Sequence, residues 1–227
     1  MLSSSLDTRA MKAIEGEGLS CQQLFPPDQI SAHIGTCWLQ LEPKAKARRK
    51  AREDCLAYVV YDGAGAFETG EIIKEVRPLD CLFVPAGLPH AMEAGDTGLV
   101  LFSFSFRPKA QHAREPLLTR WQPQKLRPAH QETFLWYEAF PKDQIGAPLD
   151  SGWGMVKPGL AVELHSHPTA EIHIHMRGKP IQQLGWQVTP VGPGVAVFIP
   201  PDTMHSVINA ADSESVLFWI EYLPGAV

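Results

Sequence analysis

Short runs of β-branched, aromatic and other apolar residues recur along this chain, and each is bounded by Pro, Gly or Asp. In the first half these runs are IGTCWLQL, LAYVVYD, DCLFVP and GLVLFSFSF. In the second half they are TFLWYEAF, GWGMVK, LAVELHSH, EIHIHM, VAVFIP and SVLFWIEYL. Many short strands at this spacing predict an all-β protein built as an antiparallel barrel or sandwich.

The two halves of the chain repeat one pattern of strands. Residues 76–92, VRPLDCLFVPAGLPHAM, align with residues 191–207, VGPGVAVFIPPDTMHSV, and the alignment places His90 opposite His205. The charged, proline-rich segment from 107 to 132 lacks sustained periodicity and is the predicted linker. We therefore predict two β-barrels in tandem, with a short, partly helical lead over residues 1–30, an N-terminal barrel over 31–106, the linker over 107–132 and a C-terminal barrel over 133–227.

The charge balance argues against nucleic acid or a membrane as a partner. The net charge is -5, with 44% apolar and 20% charged residues, which is ordinary for a globular protein. The basic run over residues 43–54, PKAKARRKARED, is short and ends in Glu-Asp, so we interpret it as a solvated loop or edge strand. No apolar run is long enough to span a bilayer. We expect a cytoplasmic protein that binds a small-molecule substrate.

A cluster of metal-binding residue types lies in the segment GLAVELHSHPTAEIHIHMRG, residues 159–178. His165 and His167 are two positions apart, so on a strand both side chains face the same side. A turn at Pro168 can then bring Glu171 back on the next strand. Imidazole and carboxylate donors together suit iron(II), manganese, nickel, copper or zinc better than magnesium or calcium.

This segment resembles the cupin superfamily, and the resemblance extends to a second motif. The first motif is matched at Gly159, His165, His167, Glu171 and Gly178. The second is matched from Gly194 through Pro200 and His205 to Asn209, except that Asp202 replaces the usual glycine. The resemblance implies a bicupin of two jelly-roll-like barrels, with one divalent transition metal, iron(II) favoured, held by His165, His167, Glu171 and His205. One or two coordination positions would stay open for substrate, water or dioxygen.

Two further histidines follow Glu171 on the same predicted strand face. Because Glu171, His173 and His175 alternate, all three should point into the barrel. We predict that His173 either supports the metal ligands or is an acid–base catalyst, since an unperturbed imidazole titrates near pH 6.5 and could transfer a proton. A buried, hydrogen-bonded histidine is the alternative for His173 and the favoured interpretation for His175.

The first half lacks these ligands. Lys50, Arg52 and Leu56 stand where the alignment places the counterparts of the first-motif ligands, and His90 alone survives. A single imidazole binds a first-row metal too weakly to retain it, so we predict no metal in the N-terminal barrel. Three histidines without matching partners are predicted to lie on the surface: His33, His112 and His130. Trp186, Phe198, Trp219 and Glu221 are candidates for a pocket wall or for ordinary core.

The resemblance implies several activities, and the fold does not choose among them. A dioxygenase-type oxidoreductase is the favoured hypothesis. A lyase is the second hypothesis, because cupin-type dimethylsulfoniopropionate lyases are similar around the His-x-His-Pro, Glu core, although they carry tyrosine where this chain has His173. The remaining hypotheses are an isomerase and a non-catalytic binding or sensor module. Cupins often pair their barrels, so the resemblance implies a homodimer, with a monomer as the alternative because two barrels are already joined in one chain.

Overall fold

The computed structural model describes residues 1–14, 18–31, 34–107, 113–146 and 148–223, and these residues are mostly β-strand. The strands are β1 (Leu2–Ser5), β2 (Lys12–Ile14), β3 (Leu19–Gln23), β4 (Ile34–Leu41), β5 (Lys46–Arg49), β6 (Cys55–Thr69), β7 (Ile72–Val76), β8 (Cys81–Val84), β9 (His90–Phe106), β10 (Leu117–Thr119), β11 (Arg127–Ala129), β12 (Phe134–Glu138), β13 (Leu149–Val156), β14 (Ala170–Arg177), β15 (Ile181–Leu184), β16 (Gln187–Pro190), β17 (Val195–Ile199), β18 (His205–Ile208) and β19 (Ser215–Tyr222). The helices are α1 (Pro27–Ile30), α2 (Lys142–Ile145) and 3-10 turns at Thr8–Ala10 and Pro123–Lys125. The predicted all-β class is confirmed.

The chain divides into two compact units. The N-terminal unit comprises Leu6–Trp121 and Lys142–Ala147, and the C-terminal unit comprises Met1–Ser5, Gln122–Pro141 and Pro148–Val227. These boundaries differ from the expected ones because short flanking segments pair with sheet edges, where backbone hydrogen bonds would otherwise go unmade. From the predicted lead, β1 pairs with β17 in the C-terminal unit and β2 pairs with β3 in the N-terminal unit. From the predicted linker, β10 pairs with β8 and β11 with β12.

The N-terminal unit is one curled antiparallel sheet in the order β10-β8-β6-β9-β4-β3-β2, with β5 on β9 and β7 on β6. The register of β6 against β9 shifts between Val60 and Asp62 and again between Gly63 and Gly65, which bends both long strands. At Gly63 (φ 78°) an added Cβ would lie 2.1 Å from the carbonyl oxygen of Gly98, so the bend needs glycine there. The bent sheet encloses an apolar core that includes Tyr58.

The C-terminal unit is built from two antiparallel sheets. The larger has the order β1-β17-β14-β19-β13-β12-β11 and the smaller the order β16-β15-β18. Apolar side chains from both sheets pack together in two clusters. Val207 of β18 and Leu217 of β19 belong to one cluster, and Leu184 of β15 and Val197 of β17 belong to the other. Facing sheets of this kind place inward side chains of several strands around one interior. Within the described part of the chain, no helix is long and apolar enough to cross a membrane.

Candidate metal centre and adjoining cavity

Backbone hydrogen bonds bring the predicted ligands together in the C-terminal unit. His205 is the first residue of β18 and forms two backbone hydrogen bonds with His165. The His205 N–H donates to the His165 carbonyl at 2.8 Å, and the His165 N–H donates to the His205 carbonyl at 3.2 Å. The carbonyl of His167 accepts from the N–H of Asp202 at 2.8 Å. Asp202 has φ 57°, the left-handed conformation in which the motif usually has glycine and which Asp tolerates. Glu171 lies on β14, next to β17 and β19.

The three histidines present the same ring nitrogen to one point. The Nδ1 of each ring lies beside a backbone carbonyl two residues away, at 2.7 Å for His165, 3.1 Å for His167 and 2.8 Å for His205, and the hydroxyl of Thr169 lies closer still to Nδ1 of His167, at 2.6 Å. In a neutral ring, an Nδ1–H that donates to an oxygen leaves Nε2 deprotonated, which is the form that binds a metal. One ligand nitrogen from each ring lies within 4.8 Å of the others. This donor set fits a divalent transition metal.

Glu171 adjoins this cluster and is 8% exposed. Its Oε2 lies 3.5 Å from Nε2 of His167 and 3.4 Å from Nε2 of His205, and its Oε1 lies 3.0 Å from Nε2 of His173. Burial alone would raise the pKa of Glu171, but the neighbouring imidazoles, His173 foremost, hold that pKa well below its ordinary value. The carboxylate is therefore ionised and available as a fourth ligand.

Hydrogen bonds fix the orientation of His173. Its Nδ1 lies 3.1 Å from Oε1 of Gln182, and the Gln182 amide nitrogen donates to the carbonyl of Ser206 at 3.1 Å. Burial lowers the pKa of His173, but the charge and hydrogen bond of Glu171 outweigh it, so the net shift is upward. His173 is thus placed against the carboxylate. His175, two positions further on, is fully buried, and burial lowers its pKa to about 3.

A cavity of about 430 Å³ opens beside the ligands. Besides Glu171, it is lined by three aromatic and three acidic residues: Phe134, Trp136, Trp219, Glu138, Asp150 and Glu221. Two glycines of β13 make room for two of the aromatic side chains. An added Cβ would lie 2.1 Å from Cζ of Phe134 at Gly154 and 2.9 Å from Cζ2 of Trp219 at Gly152.

Sequence reasoning found only part of this lining. Of the four suggested wall residues, Trp219 and Glu221 line the cavity, whereas Trp186 is fully exposed and Phe198 is buried on β17 outside the described lining. The missed residues Phe134, Trp136 and Glu138 alternate along β12 and so share one face. That alternation was visible in TFLWYEAF, but the sequence did not show which face pointed inward.

The surface prediction for His130 is wrong. Its ring centroid lies 4.4 Å from that of His165, the side chain is half-buried, and it lines the cavity. His130 belongs to a three-residue left-handed turn between β11 and β12, with φ values of 46°, 56° and 66°. The hairpin, rather than any local motif, carries it to the site. His33 and His112 lie outside the described residues.

The corresponding position in the N-terminal unit is occupied differently. Nε2 of His90 lies 2.7 Å from the hydroxyl of Tyr58, and both side chains are buried. Burial, followed by the charge of Arg49, lowers the pKa of His90 to about 4. Leu56, aligned with Glu171, is a buried core residue. The ring nitrogen that corresponds to a candidate ligand atom in the other unit is therefore engaged by a phenol.

Comparisons with known proteins agree with this architecture. Residues 152–221 match Cupin_2, described as a cupin domain. The putative glyoxylate induced protein of Pseudomonas aeruginosa has a similar structure, with a TM-score of 0.80 at 9% identity over 93% of this chain and 84% of that one. A cupin 2 conserved barrel domain protein of Leptotrichia buccalis gives a TM-score of 0.66 at 14% identity, over 93% of this chain and 92% of that one. Oxalate decarboxylase of Lactobacillus farciminis gives a TM-score of 0.72 at 14% identity, over 99% of this chain and 86% of that one. No curated protein matches the chain.

Proposed function

We propose that the C-terminal unit is the site of a metal-dependent enzyme that acts on a small organic substrate, because its residues 152–221 match a cupin domain and the fold of the chain is similar to that of a cupin protein. The proposed ligands are His165, His167, Glu171 and His205, and the proposed metal is one divalent transition ion, iron(II) before manganese, nickel, copper or zinc. The observation that carries the proposal is the common orientation of the three imidazoles, each with Nδ1 at a backbone carbonyl.

We propose a dioxygenase-type oxidoreductase as the first candidate activity. A redox-active ion held by these donors would supply Lewis-acid polarisation and electron transfer to dioxygen. The chain's own residues would bind and orient the substrate, since the cavity beside the ligands is walled by Phe134, Trp136 and Trp219. These aromatic side chains would also exclude bulk water from the reacting groups.

A lyase is the second candidate, and one specific contact favours it. His173 lies 3.0 Å from Glu171 and also lines a smaller cavity of about 50 Å³ together with His165 and His205. A histidine that lines this cavity could contact a bound molecule and remove or return a proton. Dependence on dioxygen separates the two candidates, because a lyase turns over anaerobically and accepts zinc.

The role of His173 is itself testable. If His173, which is held by its hydrogen bond to Gln182, positions Glu171, then the His173→Gln variant should bind the metal more weakly, because Glu171 would lose its contact with the imidazole. If it is an acid–base catalyst, the same variant should keep its metal and lose turnover. Metal affinity measured by competition with a chromogenic chelator distinguishes these results.

Acidic residues beside the candidate ligands argue against oxalate as the substrate. The structures similar in fold include oxalate decarboxylases, and oxalate carries two negative charges at neutral pH. In this chain Glu138, Asp150 and Glu221 line the cavity next to the candidate metal. We therefore propose a substrate that is not a small dicarboxylate.

Elemental analysis tests the metal site. Protein purified without chelator should contain one transition metal per chain, and a His165→Ala, His205→Ala double variant should contain none. His90→Gln is the matched histidine control and should keep the metal. Absence of metal from the wild-type protein, even after reconstitution, would refute the metalloenzyme proposal and leave a binding or sensor module. Light scattering on the same samples tests the predicted homodimer.

A further inference from the structure

A histidine outside both sequence motifs borders the candidate metal centre. His130 lines the cavity of about 430 Å³ and also the smaller cavity of about 50 Å³, and His165 and Glu171 line both cavities as well. The ring centroid of His130 lies 4.4 Å from that of His165, with the two ring planes inclined at 40°. The ring of Phe134 lies 6.0 Å away in an edge-to-face arrangement. A molecule bound at the candidate ligands can therefore contact His130.

The ring nitrogens of His130 are available to such a molecule. Within the described part of the chain, neither nitrogen forms a hydrogen bond, and neither is one of the buried polar atoms that lack a partner, so both remain accessible. The three candidate ligands His165, His167 and His205 differ, because each places Nδ1 beside a backbone carbonyl. Their ligand nitrogens lie within 4.8 Å of one another in a group that does not include His130. These differences favour contact with a ligand over a bond to the metal.

The turn that holds His130 is fixed by side-chain contacts rather than by glycine. His130, Gln131 and Glu132 have positive φ values of 46°, 56° and 66°. Residues other than glycine adopt this conformation at a cost in free energy, so the surrounding contacts must stabilise it. The hydroxyl of Thr133 donates to the His130 carbonyl at 2.7 Å, and the side-chain amide of Gln131 donates to Oε2 of Glu163 at 3.2 Å. A strained turn that is fixed in this way is typical of a position where a side chain has a function.

The same contacts connect the turn to the nearest candidate ligand. The carboxylate of Glu163 accepts the hydrogen bond from Gln131, and the carbonyl of Glu163 lies 2.7 Å from Nδ1 of His165. The turn and the segment that carries His165 are thus joined through one residue. The spacing of the His130 and His165 rings is therefore set by hydrogen bonds as well as by their own contact.

We propose that His130 is a substrate-binding residue, whose imidazole hydrogen-bonds a hydroxyl or carbonyl oxygen of the substrate, and that Thr133 positions it. This inference rests on the proposed function, since it assumes a metal at the candidate ligands. It also specifies the substrate class. Because His130 lies against the ring of a candidate ligand, the oxygen that it binds is only a few bonds from the atom that binds the metal.

Two pairs of thiols test the proposal. The pairs are 2-mercaptoethanol with 1-propanethiol and 3-mercapto-1-propanol with 1-butanethiol. In each pair the sulfur binds the metal as thiolate, and one member has a hydroxyl where the other has a methyl group. Titration of cobalt(II)-loaded protein under argon measures each affinity through the charge-transfer absorption from sulfur to cobalt. The quantity compared between variants is the ratio of the hydroxyl affinity to the methyl affinity.

Variants assign this ratio to His130. His130→Phe keeps an aromatic ring beside His165 but cannot hydrogen-bond, and it should lower the ratio about fivefold for at least one pair, the scale of one neutral hydrogen bond. His130→Ala should lower it similarly and serves where the larger ring is not accommodated. Thr133→Val, which lacks the hydroxyl, should lower the ratio, whereas Thr133→Ser keeps the hydroxyl and should retain it. Circular dichroism checks that each variant is folded.

The outcomes separate this inference from the proposed function. Cobalt content is measured on every sample, and wild-type protein that binds no cobalt overturns both. Cobalt-loaded protein that binds no thiol, or whose ratio is the same in the wild type and the His130 variants, overturns the inference alone. Folded His130 variants that lose their cobalt also overturn it, because His130 would then belong to the metal site. Equal ratios in Thr133→Val and Thr133→Ser would refute the role of Thr133.

Discussion

Replacing His90 by glutamine should make the N-terminal unit less sensitive to mild acid. His90 is 5% exposed and shares a hydrogen bond with Tyr58. Burial, with a smaller contribution from the charge of Arg49, lowers its folded-state pKa to about 4, whereas an unfolded histidine titrates near 6.5. Above pH 6.5 the His90 side chain is neutral in both the folded and the unfolded state. As the pH falls towards 4 the unfolded state takes up the proton first, so stability is lost.

The size of this loss follows from the two pKa values. Each pH unit between them is worth about 1.4 kcal/mol, so the interval from 6.5 to about 4 corresponds to a total of about 3 kcal/mol. At pH 5 about 2 kcal/mol of that total should already be lost. Below the folded-state pKa the loss is complete and this contribution becomes independent of pH.

Hydrogen exchange of peptides from β6 and β9 reports unfolding of the N-terminal unit and can be measured by mass spectrometry across pH 5 to 7.5, after correction for intrinsic exchange rates. The His90→Gln variant should be less stable than the wild-type protein at pH 7.5, because the packing against Phe67 changes. Between pH 7.5 and pH 5, however, its free energy of unfolding should fall by about 2 kcal/mol less than that of the wild-type protein. Parallel losses in the two proteins would refute the assignment of this acid sensitivity to His90.

Three further predictions concern the C-terminal unit. Gly154→Ala should cost about 1–3 kcal/mol in thermal unfolding because its Cβ would meet Phe134 at 2.1 Å; Gly192→Ala, with no atom within 4 Å, is the control, and equal effects would contradict the packing argument. Asp202→Gly should be tolerated, whereas Asp202→Ala should lose about 1 kcal/mol at its φ of 57°. Zinc at 100-fold its dissociation constant should stabilise the wild-type unit by about 2.7 kcal/mol, and the stabilisation should be absent when His205 is replaced by Ala.

Two levels of structure could be predicted from this sequence for different reasons. The all-β class was predictable because turn residues recur between short β-rich runs. Three candidate ligands were predictable because His165 and His167 are two positions apart and Glu171 follows within one hairpin turn, a spacing that acts through local geometry. The fourth, His205, was implied by the resemblance of the second motif to the cupin superfamily. Their roles as ligands stay a prediction until metal is measured.

The segment that pairs with a sheet edge and the turn that holds His130 could not be predicted from local sequence patterns. Leu2–Ser5 pairs with Val195–Ile199, far away in the chain, and no local signal in MLSSS indicates that partner. The left-handed turn that carries His130 to the site likewise has neither Gly nor Pro at its centre. Both depend on which sheet edge is free when the unit closes.

The sequence alone determined the strand content, the internal duplication and the order of the candidate ligands, because each can be recognised from short patterns of residues along the chain. The tertiary structure decided what surrounds the ligands. Cross-strand pairing put Asp150, Glu221 and Glu171 in one row, and Gly152 and Gly154 gave space to the side chains of Trp219 and Phe134. These contacts join residues from distant strands, so they exist only once the register of the sheet is fixed.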